Sequence, residues 1–392
     1  MPTVPYLYQF ENQSLFRLIE ARQRGELSAC EVLQAALGAL NGVELQRSRI
    51  EQAKTEAIEF DRAYPPGSWM PALAGVPIIV DDQAWQANGS PGADREFALP
   101  PGTAISALAK EGALVVGSVL LDGVSATLGA VVDQGGANDQ SCGANDQSWS
   151  QDPLLQSHLS GAIKASLVAG DLLGMLWRAR CGLASYRPTL GLTPARSPAQ
   201  GRHAVSFLAA TIPEQAFLLD RLRARGVSGD PRYLPHSEPK SLLSFAVTPK
   251  RPDQLGVLEM SADPGSRTNA QLLRSQLFAL GIRVEEAQGA PFSKLILEAN
   301  EVDQPGGYIG ATDALLFVRE LDRWLAKVGA MVVVLGPAGD GLREIQIVAE
   351  LLEAANLPWL IPGGGGSFVV GGRFDDAQLL RLGAFLHENG LG

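Results

Sequence analysis

The sequence predicts an α/β fold, in which helices and buried strands alternate along the chain. Segments with apolar residues at helical spacing are separated by short β-branched runs, which is typical of helices packed on a buried sheet. The chain also has 392 residues, of which 46% are hydrophobic and 19% are charged. A chain of this length and composition can bury an extensive core.

Helix signals begin near the N-terminus. An apolar stripe predicts a helix over Ser14–Arg24, which Gly25 ends. Ser28 and Glu31 match a capping box, in which each side chain bonds to the backbone amide of the other residue, so they open a second helix. The apolar stripe positions of these two helices are Leu15, Leu18, Ile19, Leu33, Leu37 and Leu40.

Helical and β-branched patterns continue to alternate through the rest of the chain. Buried strands are predicted at Val76–Val80, Ala113–Val116 and Ala330–Leu335, and a further strand is predicted at Ile282–Glu285. Helices are predicted at Ser160–Leu176, Asp263–Leu280, Leu315–Lys327, Arg343–Asn356 and Asp376–Glu388. Stretches rich in turn-forming residues predict loops at Asp133–Ser150, Ser185–Arg202 and Arg225–Lys240.

The charge pattern argues against nucleic acid and membranes as partners. The net charge is −10, and no cluster of Lys and Arg alternates with aromatic residues. The N-terminus lacks a basic start followed by an apolar segment, and no apolar stretch approaches the length of a membrane span, which indicates a cytoplasmic protein. Cys30, Cys142 and Cys181 are odd in number and widely spaced, which indicates reduced thiols.

Five segments carry the patterns of one family. The sequence CGLASYRPTLG at Cys181–Gly191 is similar to a motif CGLxGxKPTxG, and Leu73–Asp82 is similar to a strand motif LAGVPxxVKD. Residues Thr103–Ala130 match a helix, turn and strand pattern, and Val257–Gln288 and Phe368–Phe385 match two further units. Together these segments resemble the amidase signature family over nearly the whole chain.

The resemblance implies a fold and an activity. It implies a single domain over residues 1–392, with a large mixed sheet between layers of helices. It also implies hydrolysis of amide C–N bonds, which members of the family perform with a Ser-cisSer-Lys triad. Relative to the family pattern, this chain is shortened in the nucleophile loop and after residue 191.

All three catalytic positions depart from the family pattern. Asp81 stands where the family has its lysine, and Leu159 stands where it has its cis-serine. Only ten residues, none of them serine, separate Gly170 from Cys181, and Met175 lies in this interval where the nucleophile turn belongs. The resemblance therefore implies a degenerate member in which Asp81, Leu159 and Met175 converge at an inactive site.

Three side chains could supply substitute chemistry. Ser160 and Lys164 lie four residues apart on one predicted helical face, where a desolvated amine could activate the hydroxyl. His158 is next to the lost cis-serine and could pair with a serine or a cysteine. Each of these residues also has a purely structural interpretation. Lys164 could pair with Asp171, and Ser166 on the same predicted helix could serve only in packing. No metal-ligand spacing occurs, and the Gly-rich runs lack a phosphate-loop Lys-Ser/Thr, so neither metal nor cofactor is expected.

These departures predict a pseudoenzyme that acts as a binding or scaffolding subunit, with a protein partner or a second copy of itself. Two alternatives stay open. The first is an active amidohydrolase, or a repurposed enzyme, that uses non-family residues in the inherited pocket. The second is a protein that binds a small molecule. The apolar stripes of the N-terminal helices are expected to contact the partner, unless they belong to the core.

Overall fold

The structure is a computed structural model. It describes residues 14–40, 45, 47–65, 68–81, 103–119, 153–169, 172–180, 182–194, 205–225, 233–259, 264–286, 311–335, 348, 351–352, 355–362 and 366–391. The chain divides into two compact units, the first formed by Met1–Gly170 and Gly191–His236 and the second by Asp171–Leu190 and Ser237–Gly392. The single domain expected from the resemblance stays a prediction.

Helices and strands alternate along the described residues. The helices are α1 (Leu15–Gln23), α2 (Ala29–Ala39), α3 (Arg47–Ala63), α4 (Ala104–Lys110), α5 (Pro153–Leu159), α6 (Leu172–Arg180), α7 (Ile212–Arg225), α8 (Leu243–Ala246), α9 (Pro264–Ala279), α10 (Ala311–Val328) and α11 (Asp376–Glu388). The strands are β1 (Pro77–Asp81), β2 (Leu114–Val119), β3 (Ala165–Ala169), β4 (Ala184–Arg187), β5 (Val205–Ala209), β6 (Gln254–Glu259), β7 (Arg283–Glu286), β8 (Ala330–Val334), β9 (Trp359–Ile361) and β10 (Ser367–Gly371). None of the helices described is long and apolar enough to cross a membrane.

The first unit is built around strands in the order β2-β1-β3-β5. Strand β1 pairs in parallel with β2 and β3, whereas β3 pairs antiparallel with β5. Ile78, Ile79 and Val80 are completely buried, as expected for a strand that is covered on both faces. Helices α2, α3, α4 and α7 pack against these strands. The predicted strands at β1 and β2 are confirmed, and the sheet is mixed.

The N-terminal helices begin and end where local signals predict. The Ser14 hydroxyl accepts a hydrogen bond from the Arg17 amide at 3.3 Å, and Gly25 follows α1 with a left-handed φ of 71°. The Ser28 hydroxyl accepts from the Glu31 amide at 3.1 Å while Glu31 accepts from the Ser28 amide at 2.8 Å, so the capping box is confirmed. Four of the stripe residues are buried in the core, namely Leu15, Leu18, Leu33 and Leu40. The prediction that these four residues contact a partner is therefore wrong.

The second unit contains strands in the order β4-β9-β10-β8-β6-β7. Strands β4, β9, β10 and β8 are antiparallel to one another in succession, whereas β6 runs parallel to both β8 and β7. The predicted strands β7 and β8 are confirmed, as are the predicted helices α9, α10 and α11. The predicted helix Arg343–Asn356 lies largely outside the described residues. Both units thus combine a mixed sheet with helices, which confirms the α/β class.

Two predictions of secondary structure are wrong. The expected core helix Ser160–Leu176 is instead a turn, the strand β3 and most of the helix α6. A short apolar run fits a strand or a helix equally well, and here pairing of β3 with β1 and β5 decides for the strand. The expected loop Ser185–Arg202 begins with β4, because Ser185 pairs with Ile361 in β9. The predicted loop Asp133–Ser150 lies outside the described residues.

Candidate functional site

The three substitute catalytic residues lie around the turn that joins α5 to β3 in the first unit. His158 is in the last turn of α5, Ser160 is the first residue after the helix, and Lys164 immediately precedes β3. The helical face that was expected to align Ser160 with Lys164 does not exist. Asp81 ends β1 and Leu159 ends α5, but their side chains lie outside the part of the chain that the structure describes.

The hydroxyl of Ser160 is bonded within its own turn. Its Oγ donates to the carbonyl oxygen of Ser157 at 3.0 Å and accepts from the amide of Ala162 at 3.4 Å. Gly161 supplies the left-handed φ of 71° that this turn requires. Short side chains of this type commonly stabilise turns by such local bonds. Within the described residues, no lysine is hydrogen-bonded to this hydroxyl.

The electrostatic partner of Lys164 is Glu214. Burial lowers the pKa of Lys164, and the charge of Glu214 opposes that change. Glu214 is completely buried and accepts hydrogen bonds from the amide of Leu15 at 2.6 Å and from the amide of Thr211 at 3.0 Å. Burial raises the pKa of Glu214. The lysine thus complements a carboxylate that joins the start of α1 to the start of α7, whereas the alternative partner Asp171 lies outside the described residues.

His158 contacts Ser166, a residue that the sequence presents as one that packs. The Nε2 atom of His158 lies 2.9 Å from Oγ of Ser166. A base beside a hydroxyl is the arrangement of an activated nucleophile. Ser166 is, however, only 1% exposed, and it sits in β3 between Ile79 of β1 and Leu208 of β5. A substrate carbonyl cannot approach an enclosed hydroxyl, so the pair satisfies two buried polar groups.

Met175, the third triad position, belongs to the second unit. It is completely buried in α6, and its sulfur accepts a hydrogen bond from Nη1 of Arg178 at 3.9 Å. Helix α6 covers Leu172–Arg180, which is nearly the whole interval between Gly170 and Cys181. The interval therefore forms a regular helix and not the turn expected there. Convergence of Met175 with Asp81 and Leu159 stays a prediction.

Comparison with solved structures identifies the fold. A vestigial protein complex that reveals the evolutionary origins of an s-triazine catabolic enzyme matches with a TM-score of 0.64 and 17% identity, over 96% of this chain and 99% of that chain. An amidase matches with a TM-score of 0.62 and 20% identity, over 97% and 100%. A bacterial aryl acylamidase of the amidase signature family matches with a TM-score of 0.62 and 15% identity, over 97% and 96%. The chain has the amidase-signature fold. No family model matches the sequence, and no curated protein matches it.

Within this amidase-signature fold, one buried carboxylate holds the segment that follows α6. Asp376, the first residue of α11, is completely buried. It accepts hydrogen bonds from the Tyr186 hydroxyl, from the Thr189 amide at 2.9 Å and from the Thr189 hydroxyl at 2.5 Å. Two of the segments that resemble the family, CGLASYRPTLG and Phe368–Phe385, therefore meet at this side chain.

Glu238 extends the same network. Its two carboxylate oxygens accept from the amide of Asp376 at 2.8 Å and from the amide of Ala377 at 3.3 Å. Burial, and then the charge of Asp376, raises the pKa of Glu238 to about 7. Burial and the charge of Asp376 also raise the pKa of Asp375 to about 6. The start of α11 is therefore an acidic cluster, in which Glu238 and Asp376 accept hydrogen bonds from backbone amides and order the neighbouring segment.

Glu214, Glu238 and Asp376 were missed by sequence reasoning. For Glu214 a signal was present, because Thr211 and Glu214 have the spacing of a capping box and form one, with the Glu214 amide donating to Thr211 Oγ1 at 3.4 Å. Glu238 lies in a stretch that the sequence predicts as a loop, and for Asp376 the sequence predicts only that it begins a helix. Their partners are remote in sequence, so no local pattern identifies them.

Removal of the Asp376 carboxylate should destabilise the second unit. Asp376→Ala leaves the donors of Tyr186 and Thr189 buried without this acceptor, so we expect the free energy of unfolding to fall by about 3–5 kcal/mol. Asp375→Ala is the matched control, because that neighbour is half-buried and makes no capping bond, and it should change the value by less than about 1 kcal/mol. Urea denaturation measures the free energy of unfolding of both variants. Equal decreases in the two variants would contradict the role of Asp376.

Glu238 should make the stability depend on pH. Its pKa is higher in the folded state than the ordinary 4.5, so its stabilising contribution is complete below about pH 4.5 and is lost as the pH rises through 7. We expect its contribution to the free energy of unfolding to fall by about 1–2 kcal/mol between about pH 5.5 and about pH 8. Glu238→Gln should remove this part of the slope in denaturation curves. A slope that is the same in both proteins would show that Glu238 has no such role.

Proposed function

We propose that the chain is a non-catalytic subunit with an amidase-signature fold that binds a partner protein. One observation carries the proposal: the Ser160 hydroxyl and the His158 ring already have hydrogen-bond partners, and the charge of Lys164 is opposed by that of Glu214. An enzyme must keep its nucleophile and base available to the substrate.

The proposal of a partner rests on two further observations. A solved structure with the same fold is a vestigial protein complex. In the present chain, large apolar side chains of α9 are exposed, with Phe278 at 82% and Leu272 at 58%. Phe278 and Leu272 lie within two turns of one helix, and we propose these exposed apolar side chains as contacts for the partner. These residues replace the buried N-terminal leucines as the proposed contacts.

An active amidohydrolase is the second candidate, and the 2.9 Å contact between His158 and Ser166 is the observation in its favour. Catalysis by this pair would require the sheet around β3 to open, because Ser166 is enclosed by neighbouring strands. The pair is therefore a weaker basis for function than the partner proposal. The two candidates differ in the result they predict for a serine-directed reagent, because only the amidohydrolase would be labelled.

A fluorophosphonate probe and a panel of simple amides test whether the site is inactive. Wild type, Ser160→Ala and Ser166→Ala are compared, with an active amidase-signature enzyme as the positive control for the reagents. We expect no labelling and no hydrolysis above the uncatalysed rate in any of the three proteins, because the Ser160 hydroxyl is bonded to the backbone and the Ser166 hydroxyl is enclosed in the sheet. Labelling or turnover that disappears in either variant would establish the amidohydrolase alternative.

Native purification tests the partner proposal. We expect the wild-type chain from its native source to run in light scattering as a complex with a stoichiometric partner or as a dimer at micromolar concentration. Phe278→Ser and Leu272→Ser should reduce this association, whereas Trp69→Ser, which removes an exposed apolar side chain from the first unit, should not. A wild-type monomer without any retained partner would overturn the proposal and favour the small-molecule binding alternative.

A further inference from the structure

A cavity of about 550 Å³ lies within the second unit. Its walls come from the segment before β6, the C-terminal end of α10, the first residues of β7 and β8, the last residue of β10, and α11. This volume is within the range of small-molecule sites. None of the residues that occupy the triad positions or could replace the triad lines it.

The charged lining of this cavity is mainly cationic. Its carboxylates are Asp253 and Asp375. Its cations are Lys250, Arg251, Arg283, Lys327 and Arg381. The whole chain carries a net charge of −10, so this local excess of positive charge runs against the average composition.

Most of these cations lack a compensating carboxylate among the residues that the structure describes. Lys327 is the exception, because its Nζ lies 3.1 Å from Oε2 of Glu285. Arg251 donates to the carbonyl oxygen of Leu280 at 3.1 Å, a bond that leaves the positive charge uncompensated. Within the described part of the chain, neither Arg283 nor Arg251 forms an ion pair. Their guanidinium groups can therefore meet an incoming anion.

Arg381 is held in place by an aromatic ring. The central carbon of its guanidinium lies 4.3 Å from the centroid of the Phe245 ring. Its Nε is shielded from solvent and has no hydrogen-bond partner among the described residues. Stacking on a ring leaves the terminal nitrogens of a guanidinium for planar recognition of a carboxylate or a phosphate.

We propose that this cavity binds a small organic oxyanion, a carboxylate or a phosphate ester with a compact apolar body. The cationic side chains recognise the oxyanion. The apolar body is accommodated by the aliphatic part of the lining, which comprises Pro252, Leu255, Val328, Leu379 and Leu382. This site is independent of the partner proposal, because it uses neither α9 nor the inherited triad segment.

Calorimetric titration of the full chain tests the site. The probes are adipate, glycerol 3-phosphate, inorganic phosphate and adipamide, the last being the neutral analogue of adipate. We expect at least one oxyanion to bind with a Kd below about 1 mM, adipamide to bind much more weakly, and affinity to fall as NaCl is raised from about 50 to about 300 mM. A preference between adipate and glycerol 3-phosphate identifies the carboxylate or the phosphate class.

Variants locate the binding. Arg283→Gln should raise the Kd for the oxyanion by about five- to tenfold, because a charge-assisted contact is lost. Arg323→Gln is the matched control, because Arg323 is exposed on α10 and does not line the cavity. Arg381→Gln should also weaken binding. If loss of the stacking on Phe245 unfolds this variant, Lys250→Gln tests the cationic lining instead, because Lys250 is exposed and its replacement should leave the fold intact. Equal weakening by Arg283→Gln and Arg323→Gln, equal binding of adipate and adipamide, or no saturable binding up to about 10 mM would overturn the proposal.

Discussion

The buried carboxylate of Asp376 holds the amidase-signature segment of the second unit in position. It joins Tyr186 in β4 and Thr189 beyond that strand to the first turn of α11, which in turn packs on β9 and β10. A charge without solvent is tolerated only while its donors remain in place. Any shift of β4 against α11 therefore breaks several hydrogen bonds together. Glu238 adds to this constraint by capping the amides of Asp376 and Ala377.

This chain retains the fold of the family, while Asp81, Leu159 and Met175 stand at the positions where the resemblance places the triad. Structures only 15–20% identical share the fold over at least 96% of the chain, so the pattern of buried strands and helices is retained. The interval that presents the nucleophile in the family is instead the helix α6. Ser160 is hydrogen-bonded within its own turn, and His158 is hydrogen-bonded to Ser166. A folded core favours satisfied polar groups, whereas catalysis requires some of them to stay available.

The correct and the wrong predictions differ in the range of the interactions involved. The capping box at Ser28 and the helix end at Gly25 depend on neighbours within a few residues, so they could be predicted and were confirmed. The alignment of Ser160 with Lys164 depended on a helix that forms only if residues 160–176 do not pair with other strands. They do pair, because β3 lies between β1 and β5. The sequence identifies His158 as a residue that could pair with a serine or a cysteine, but it presents Ser166, the observed partner, as a residue that only packs.

The sequence by itself determined the α/β class, the capped N-terminal helices and the β-branched strands, because periodicity and capping are properties of short segments. Only the tertiary structure decided that residues 165–169 are a strand, that Lys164 complements Glu214 and that five cationic residues line one cavity. Tyr186 and Asp376 are 190 residues apart, and their contact exists only after the chain has folded. Contacts of this kind leave no local pattern, since the two residues are brought together by the packing of everything between them.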